Sequence, residues 1–117
     1  NQEKYKNYKK IIDRYSDKNL ELIEQSFKAT KQGNDSLANK LDSTQKSILA
    51  KKYLATISFA LLNKDFEISP YLIVSHVNDA KLVYLDSVYN NLSKKIKDSK
   101  YGKDLESLIQ SRKNLDN

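Results

Sequence analysis

The sequence has no cysteine, methionine or tryptophan, and it contains only two glycines and one proline. Without cysteine there is no disulfide, no thiolate ligand for zinc and no thiol nucleophile, which excludes much of the chemistry common in small domains. No stretch reaches the about 18–20 apolar residues that a membrane span needs, and the first ten residues lack the apolar segment of a signal peptide. These residues predict a soluble chain from which any targeting segment has been removed.

The charge is strongly basic but is carried almost entirely by lysine. The 117 residues include 21 Lys and Arg against 15 Asp and Glu, a net charge of +6, and only Arg14 and Arg112 are arginines. Because bidentate recognition of phosphates and base edges favours arginine, the lysines indicate a solvated surface more than a recognition device. At this length we expect one domain over residues 1–117, with a possible subdivision into 1–63 and 64–117.

The scarcity of glycine and proline, together with abundant Lys, Leu, Glu and Gln, favours an all-α fold. Apolar residues recur at helical spacing in the first thirty residues; they are Tyr5, Tyr8, Ile12, Tyr15, Leu20, Ile23 and Phe27. This pattern predicts one long amphipathic helix, or two collinear helices with a break near Ser16.

A turn and a second long helix follow. Gly33 suits the position just after a helix, and Asp35 or Ser36 could cap the next one. The apolar positions of this second helix are Leu37, Leu41, Ile48, Tyr53, Ile57 and Leu61. Residues 53–62 are apolar over most of the helix circumference, and we expect them to be the most buried part of the fold.

Shorter helices are predicted after residue 63. Ser69 followed by Pro70 is typical of a helix start, with Ser69 as the N-cap and Pro70 as the first helical residue. This helix should end near Asn78, and Asp79 is available to cap the next.

The last predicted helix begins at Ser99, another candidate N-cap. Gly102 in its first turn lowers helix propensity, which suggests that another part of the backbone approaches closely there. The predicted fold is thus all-α with about five helices, in which two long antiparallel helices pack with three shorter C-terminal ones.

No combination of side chains predicts a catalytic, cofactor or metal site. His76 is the only imidazole and has no partner in the sequence. The carboxylates at Asp13, Asp17, Glu21 and Glu24 share a helical face, but ion pairs with nearby lysines explain them more simply than a metal cluster does. We therefore expect neither an enzyme nor a bound cofactor or metal.

Two basic clusters remain. In the first helix Tyr5, Tyr8, Lys9 and Lys10 could contact a nucleic acid or a membrane surface through charge and stacking. Packing of the tyrosines against a neighbouring helix is the simpler interpretation, and a nucleic-acid partner is not favoured. The second cluster consists of Lys94, Lys95, Lys97, Lys100 and Lys103.

Residues 63–109 resemble a known protein segment. The matching pieces are the Asn63–Pro70 entry into a short helix, the Leu85–Leu92 stretch, and Asp98-Ser99-Lys100-Tyr101-Gly102-Lys103 followed by Leu105. Together they resemble the helical segment that precedes the thioredoxin domain in TlpA-like thiol:disulfide interchange proteins of Bacteroidetes. In that family the Ser-x-Tyr-Gly-Lys turn comes shortly before the thioredoxin domain.

The resemblance implies a non-catalytic helical accessory module that positions or presents a redox domain. The Cys-x-x-Cys pair of the thioredoxin active site is absent here, so the implied oxidoreductase activity would belong to a full-length relative. Ser69, Pro70, Ser99, Tyr101 and Gly102 would be structural residues of the family motif. The implied partner is the protein's own thioredoxin-like domain or a second copy, and the implied location is the periplasm or cell envelope.

Overall fold

The computed structural model describes the backbone of residues 2–116 and the side chains of residues 3–115. Over this range the chain forms six helices and no strand, which confirms the predicted all-α fold. The helices are α1 (Gln2–Lys31), α2 (Asp35–Leu62), α3 (Ile68–His76), α4 (Leu82–Asn91), α5 (Lys94–Lys97) and α6 (Lys100–Asp116). The helix not predicted from the sequence is α5, whose four residues are too few to show a helical period.

The chain divides into two compact units, which we call the N-terminal unit (Asn1–Ala55) and the C-terminal unit (Thr56–Asn117). The boundary lies inside α2 and not at residue 63, where the sequence suggested a subdivision.

The N-terminal unit is an antiparallel helical hairpin. Helix α1 is continuous, so the sequence forms one long helix with no break near Ser16. The core of the N-terminal unit is small and consists of Leu22, Ala29 and Leu41. Ala38 and Ile48 pack against it. Nearer the open end of the hairpin, the Lys52 ammonium donates a hydrogen bond to the Ser16 hydroxyl across 3.2 Å.

The turn of the hairpin is a Schellman motif in which Gly33 occupies the position just after α1, the position that the sequence predicted for it. The φ angle of Gly33 is 73°, a left-handed conformation that glycine adopts without a steric penalty. Its N–H donates to the carbonyl of Thr30 (3.1 Å), and the N–H of Asn34 donates to the carbonyl of Ala29 (2.9 Å). These two bonds satisfy carbonyls that the end of α1 would otherwise leave unpaired.

The cap of α2 differs from the prediction. The Asn34 side-chain oxygen accepts a hydrogen bond from the N–H of Leu37 (3.2 Å), so Asn34 is the N-cap. Asp35 and Ser36, the predicted caps, are already inside the first turn of the helix.

The prediction that residues 53–62 are the most buried part of the fold is wrong. Ile57 and Ala60 are buried, but Leu54 is half-exposed and Leu62 is 82% exposed. The apolar run is therefore wider than the surface that packs against other helices.

The most complete core belongs to the C-terminal unit, where α6 contacts α3, α4 and α5. The large side chains that are fully buried there are Leu72, Ile73, Val77, Leu85, Val88 and Leu105. They come from α3, α4 and α6 and from the residue that follows α3, so the short helices close a core around α6.

The connection between α3 and α4 is held by a side chain of α6. The Arg112 guanidinium donates to the carbonyls of Asn78 (3.0 Å) and Ala80 (2.9 Å). Helix α3 ends close to the predicted residue, but Lys81 and not Asp79 occupies the N-cap position of α4. Arg112 thus pairs carbonyl groups of the connection, whereas the predicted Asp79 cap would have accepted from N–H groups at the start of α4.

Candidate interaction surfaces

Tyr5, Tyr8, Lys9 and Lys10, the sequence-predicted contact residues, lie in the first turns of α1. Tyr8 is only 7% exposed, and its ring centroid lies 6.2 Å from that of the half-buried Tyr5. Lys9 and Lys10 are exposed. The structure therefore separates the four residues into the buried Tyr8, the half-buried Tyr5 beside it and two solvated lysines. Tyr8 offers no free ring face for stacking.

Ser69 and Pro70 have a different role from the one predicted. Helix α3 begins at Ile68 with Glu67 at the N-cap position, so Ser69 is not the cap. The Ser69 hydroxyl is fully buried and donates to the carbonyl of Ala60 at 2.7 Å. This bond ties α3 to the last turns of α2, while Pro70 falls in the first turn, where a missing N–H costs little.

Ser99 and Gly102 form the junction between α5 and α6 as the sequence predicted. The Ser99 hydroxyl accepts from the Gly102 N–H (3.2 Å) and donates to the carbonyl of Ile96 (2.5 Å), so Ser99 is the N-cap of α6. A Cβ at Gly102 would lie 2.0 Å from the carbonyl oxygen of Ile96 and 2.7 Å from that of Lys97. Glycine is required here by close backbone approach.

Tyr101 lies in a small aromatic group on the C-terminal unit. Its ring packs edge-on against Tyr71 at 5.0 Å between centroids, and Tyr71 in turn makes an edge contact with His76 at 6.4 Å. The Lys100 ammonium lies 4.8 Å from the centre of the Tyr101 ring. Tyr101 therefore joins α6 to α3, which is a packing role.

An apolar ridge runs along α1 in the N-terminal unit. We define it by Leu20, Ile23 and Phe27, which recur at i, i+3 and i+7 and so share one face of the helix. Leu20 is 63% exposed, Phe27 is 64% exposed and Ile23 is half-exposed. The ridge lies about a third of a turn from the buried stripe of the same helix, given 3.6 residues per turn.

A groove adjoins this ridge. It has a volume of about 280 Å³ and lies between α1 and α2. Its lining residues are Tyr15, Ser16, Asn19, Leu20, Ile48, Leu49 and Lys52. Leu20 thus belongs to both features, and the half-exposed Leu49 extends the apolar surface from α1 onto α2.

The ridge is the feature that the sequence interpretation missed, because it placed Leu20, Ile23 and Phe27 on the packed face. The buried residues Tyr8, Leu22 and Ala29 lie seven residues apart in a series that includes the half-buried Tyr15. Extending the seven-residue spacing of Tyr8 and Tyr15 along the helix would have identified Leu22 and Ala29. That signal is weak, because the packed stripe also contains Asn19, Ser26 and small Ala29 while the ridge carries larger apolar side chains.

A polar depression of about 160 Å³ lies between α4 and α6. Within it the Tyr89 hydroxyl donates to the Glu106 carboxylate at 2.5 Å, and Lys113 pairs with Asp86 at 3.7 Å. The hydrogen bond to Glu106, aided by partial burial and by the negative charges of Glu106 and Asp98, raises the pKa of Tyr89 to about 12. Tyr89 therefore keeps its proton near neutral pH, and the pair acts as a link between the two helices.

The acidic residues of α1 do not assemble a metal site among the described residues. No group of three or more potential ligands occurs in that part of the chain, and His76 is exposed. The ion pair in this region joins Lys18 to Glu21 at 3.7 Å, between two half-exposed side chains. Over the same residues, no helix is long and apolar enough to cross a membrane.

Comparisons with protein-family models, with curated proteins and with solved structures give no match to this chain.

Proposed function

We propose that this chain is a non-catalytic helical interaction module whose N-terminal unit binds another protein through the apolar ridge. The observation that carries the proposal is the exposure of Leu20, Ile23 and Phe27 on one face of α1. Burial of a large apolar side chain stabilises a complex by about 1.5–3 kcal/mol, so a face of three such residues is a substantial binding surface. Protein–protein interfaces have an apolar centre and a polar rim.

The surroundings of the ridge fit this role. Leu49 and the adjoining groove widen the apolar surface across both helices of the hairpin. Glu24 and Lys28, exposed and adjacent to ridge residues in the sequence, provide polar side chains near its edge. An amphipathic partner helix in a groove between two helices is a recurrent mode of recognition.

The partner that we propose is a thioredoxin-like domain, on the resemblance of residues 63–109 to the segment that precedes this domain in TlpA-like proteins. The module would then hold the redox domain in place or present it to its substrates, in the periplasm or cell envelope. The absence of cysteine assigns any thiol chemistry to that partner, because no residue of this chain can form a disulfide.

The test is binding of the full chain to a thioredoxin-like domain from such a protein, measured by sedimentation velocity. The variant L20E/F27E places two charges on the ridge, and we expect it to weaken binding by more than about tenfold. The control is Leu115→Glu, because Leu115 is also an exposed apolar residue but lies at the end of α6. Circular dichroism verifies that each variant keeps its helical content.

Two results would contradict the proposal. Equal binding by L20E/F27E and by the unaltered chain would exclude the ridge as the contact surface. A chain that stays monomeric and does not bind the thioredoxin-like domain would exclude both the partner and the role. Self-association that L20E/F27E abolishes would retain the ridge as a binding surface but replace the thioredoxin-like domain with a second copy.

A further inference from the structure

The second basic cluster lies beside an exposed apolar loop in the C-terminal unit. The N–H of Ser93, which precedes α5, donates to the carbonyl of Lys64 at 3.2 Å. This bond brings the loop after α2 next to the start of α5, where Lys94 and Lys95 follow directly. Residues far apart in the sequence thereby contribute to one surface.

The loop is held in a fixed conformation. Asn63 is buried, and its side-chain amide donates to the carbonyl of Phe59 at 2.8 Å. The carbonyl of Asn63 accepts from the N–H of Phe66 at 3.0 Å. Leu62 and Phe66 nevertheless expose 82% and 48% of their surface. Two large apolar side chains, one at the end of α2 and one in the ordered turn that follows it, are thus held in solvent.

Positive charges outnumber negative charges around this turn. Six lysines stand in the loop, in α5 and in the first turn of α6, against Asp65, Glu67 and Asp98. Lys64, Lys94 and Lys95 are exposed and make no ion pair within the described part of the chain. Unpaired lysines beside exposed apolar side chains are typical of surfaces that rest on anionic lipid.

We propose that the C-terminal unit docks on an anionic lipid surface through Leu62, Lys64, Phe66, Lys94 and Lys95, which we call the basic edge. The lysines attract the acidic headgroups, and Leu62 and Phe66 enter the boundary between headgroups and acyl chains. The residues differ from those of the apolar ridge, so the two binding activities are separable by mutation.

A nucleic acid is the rival anionic partner, and the side chains favour lipid. The basic edge and the neighbouring cluster contain lysine and no arginine, the residue that suits bidentate phosphate recognition. The rings of Tyr89 and Tyr101 are already covered by Lys97 and Lys100, at 5.3 and 4.8 Å from the ring centres. An aliphatic Leu62 gains little from a base but gains burial in a bilayer.

The test is co-sedimentation of the full chain with phosphatidylcholine vesicles that contain about 30% phosphatidylglycerol, since the anionic lipid supplies the attraction. We expect binding to these vesicles, no binding to pure phosphatidylcholine, and a steep loss of binding as salt is raised. The variant K94Q/K95Q should weaken binding by about tenfold or more, at about 1 kcal/mol per lysine near the surface. Leu62→Ser should weaken it by about tenfold through lost apolar burial.

The matched control is K9Q/K10Q, which removes the same charge from the first helix and should reduce binding much less. Both lysine pairs and Leu62 are exposed, so the variants should fold, and circular dichroism verifies this. Equal losses for the two lysine pairs would place the contact elsewhere and overturn the proposal. So would equal binding to both kinds of vesicle, unchanged binding by Leu62→Ser, or tighter binding to a single-stranded oligonucleotide than to anionic vesicles.

Discussion

The two units differ in how much of their apolar surface they bury. The core of the C-terminal unit has completely buried leucines and isoleucine from three helices, among them Leu72, Ile73 and Leu105. The core of the N-terminal unit is smaller and partly made of alanine. Among the side chains that the structure describes in the hairpin, seven large apolar ones are exposed: Ile11, Leu20, Ile23, Phe27, Leu37, Leu49 and Leu54.

The difference follows from the number of helices that meet. A helical hairpin buries one stripe of each helix, and a second apolar stripe on α1 then has no partner in the hairpin. In the C-terminal unit α6 contacts three other helices, so its apolar positions are covered on more than one side. The C-terminal unit therefore has the features of a scaffold, and the hairpin has the features of a binding element.

The largest effect that tests this comparison is expected from a substitution that leaves a cavity in the core of the C-terminal unit. Leu105 is fully buried between the helices of the C-terminal unit, and Leu105→Ala should lower the free energy of unfolding by about 3 kcal/mol. Leu22→Ala, in the hairpin core, should cost less, about 2 kcal/mol, because a two-helix contact can close around the gap more easily. Urea unfolding followed by circular dichroism measures both.

The outcome of this pair decides whether the units differ in packing quality. A cost for Leu22→Ala equal to or above that for Leu105→Ala would show that the hairpin core is as well packed as the other. Leu20→Ala, an exposed substitution on the same helix as Leu22, should change the free energy of unfolding by less than about 0.5 kcal/mol and serves as the control.

A somewhat smaller effect is expected at the junction of α5 and α6. Gly102→Ala would place a Cβ 2.0 Å from the carbonyl oxygen of Ile96, so the backbone must shift. We expect a loss of about 2 kcal/mol or more, in spite of the higher helix propensity of alanine. Thermal unfolding of the full chain measures the loss.

The matched control is the other glycine. Gly33→Ala meets no atom within 4 Å, so its cost comes only from the left-handed φ of 73° and should be about 1 kcal/mol. If Gly102→Ala were as well tolerated as Gly33→Ala, the close approach of α5 to α6 would not exist in solution.

The features that could be predicted from the sequence are those that one or two residues determine locally. Gly33 indicates the end of α1 because only the backbone at that position is involved. Ser99 with Gly102 indicates the start of α6 because the cap and the close approach involve only neighbouring residues of the chain. The predicted cap at Ser69 is wrong because a long-range partner, the carbonyl of Ala60, takes its hydroxyl. A local pattern cannot show that competition.

The features that could not be predicted depend on which helices meet. The apolar step through Leu20, Ile23 and Phe27 is a valid amphipathic pattern, and only the position of α2 decides that the stripe through Leu22 is the one buried. The burial of residues 53–62 was overestimated for a related reason. Leu54 and Leu62 would need an apolar partner to be buried, and both remain exposed in the described part of the chain. The apolar ridge, and Leu62 in the basic edge, are therefore residues whose pattern predicted burial and whose surroundings left them exposed.

The smallest expected effect concerns the polar link between α4 and α6 and tests whether the C-terminal unit depends on its core alone. Tyr89→Phe removes the hydrogen bond to Glu106, and because Glu106 is exposed and Tyr89 is only half-buried we expect a loss of less than about 1 kcal/mol at pH 7. The pKa of Tyr89 is raised to about 12 in the folded chain, above the value of about 10 for an unfolded tyrosine. The stabilisation is thus fully present below about pH 10 and is lost as the pH rises through about 12. Urea unfolding from pH 7 to 12 should show the difference between the unaltered chain and Tyr89→Phe shrinking over that upper range. Tyr84, a half-buried tyrosine of the same helix, is the control, and Tyr84→Phe should change the free energy of unfolding little at pH 7. A Tyr89→Phe loss well above 1 kcal/mol would mean that this link, and not only the apolar core, holds α4 against α6.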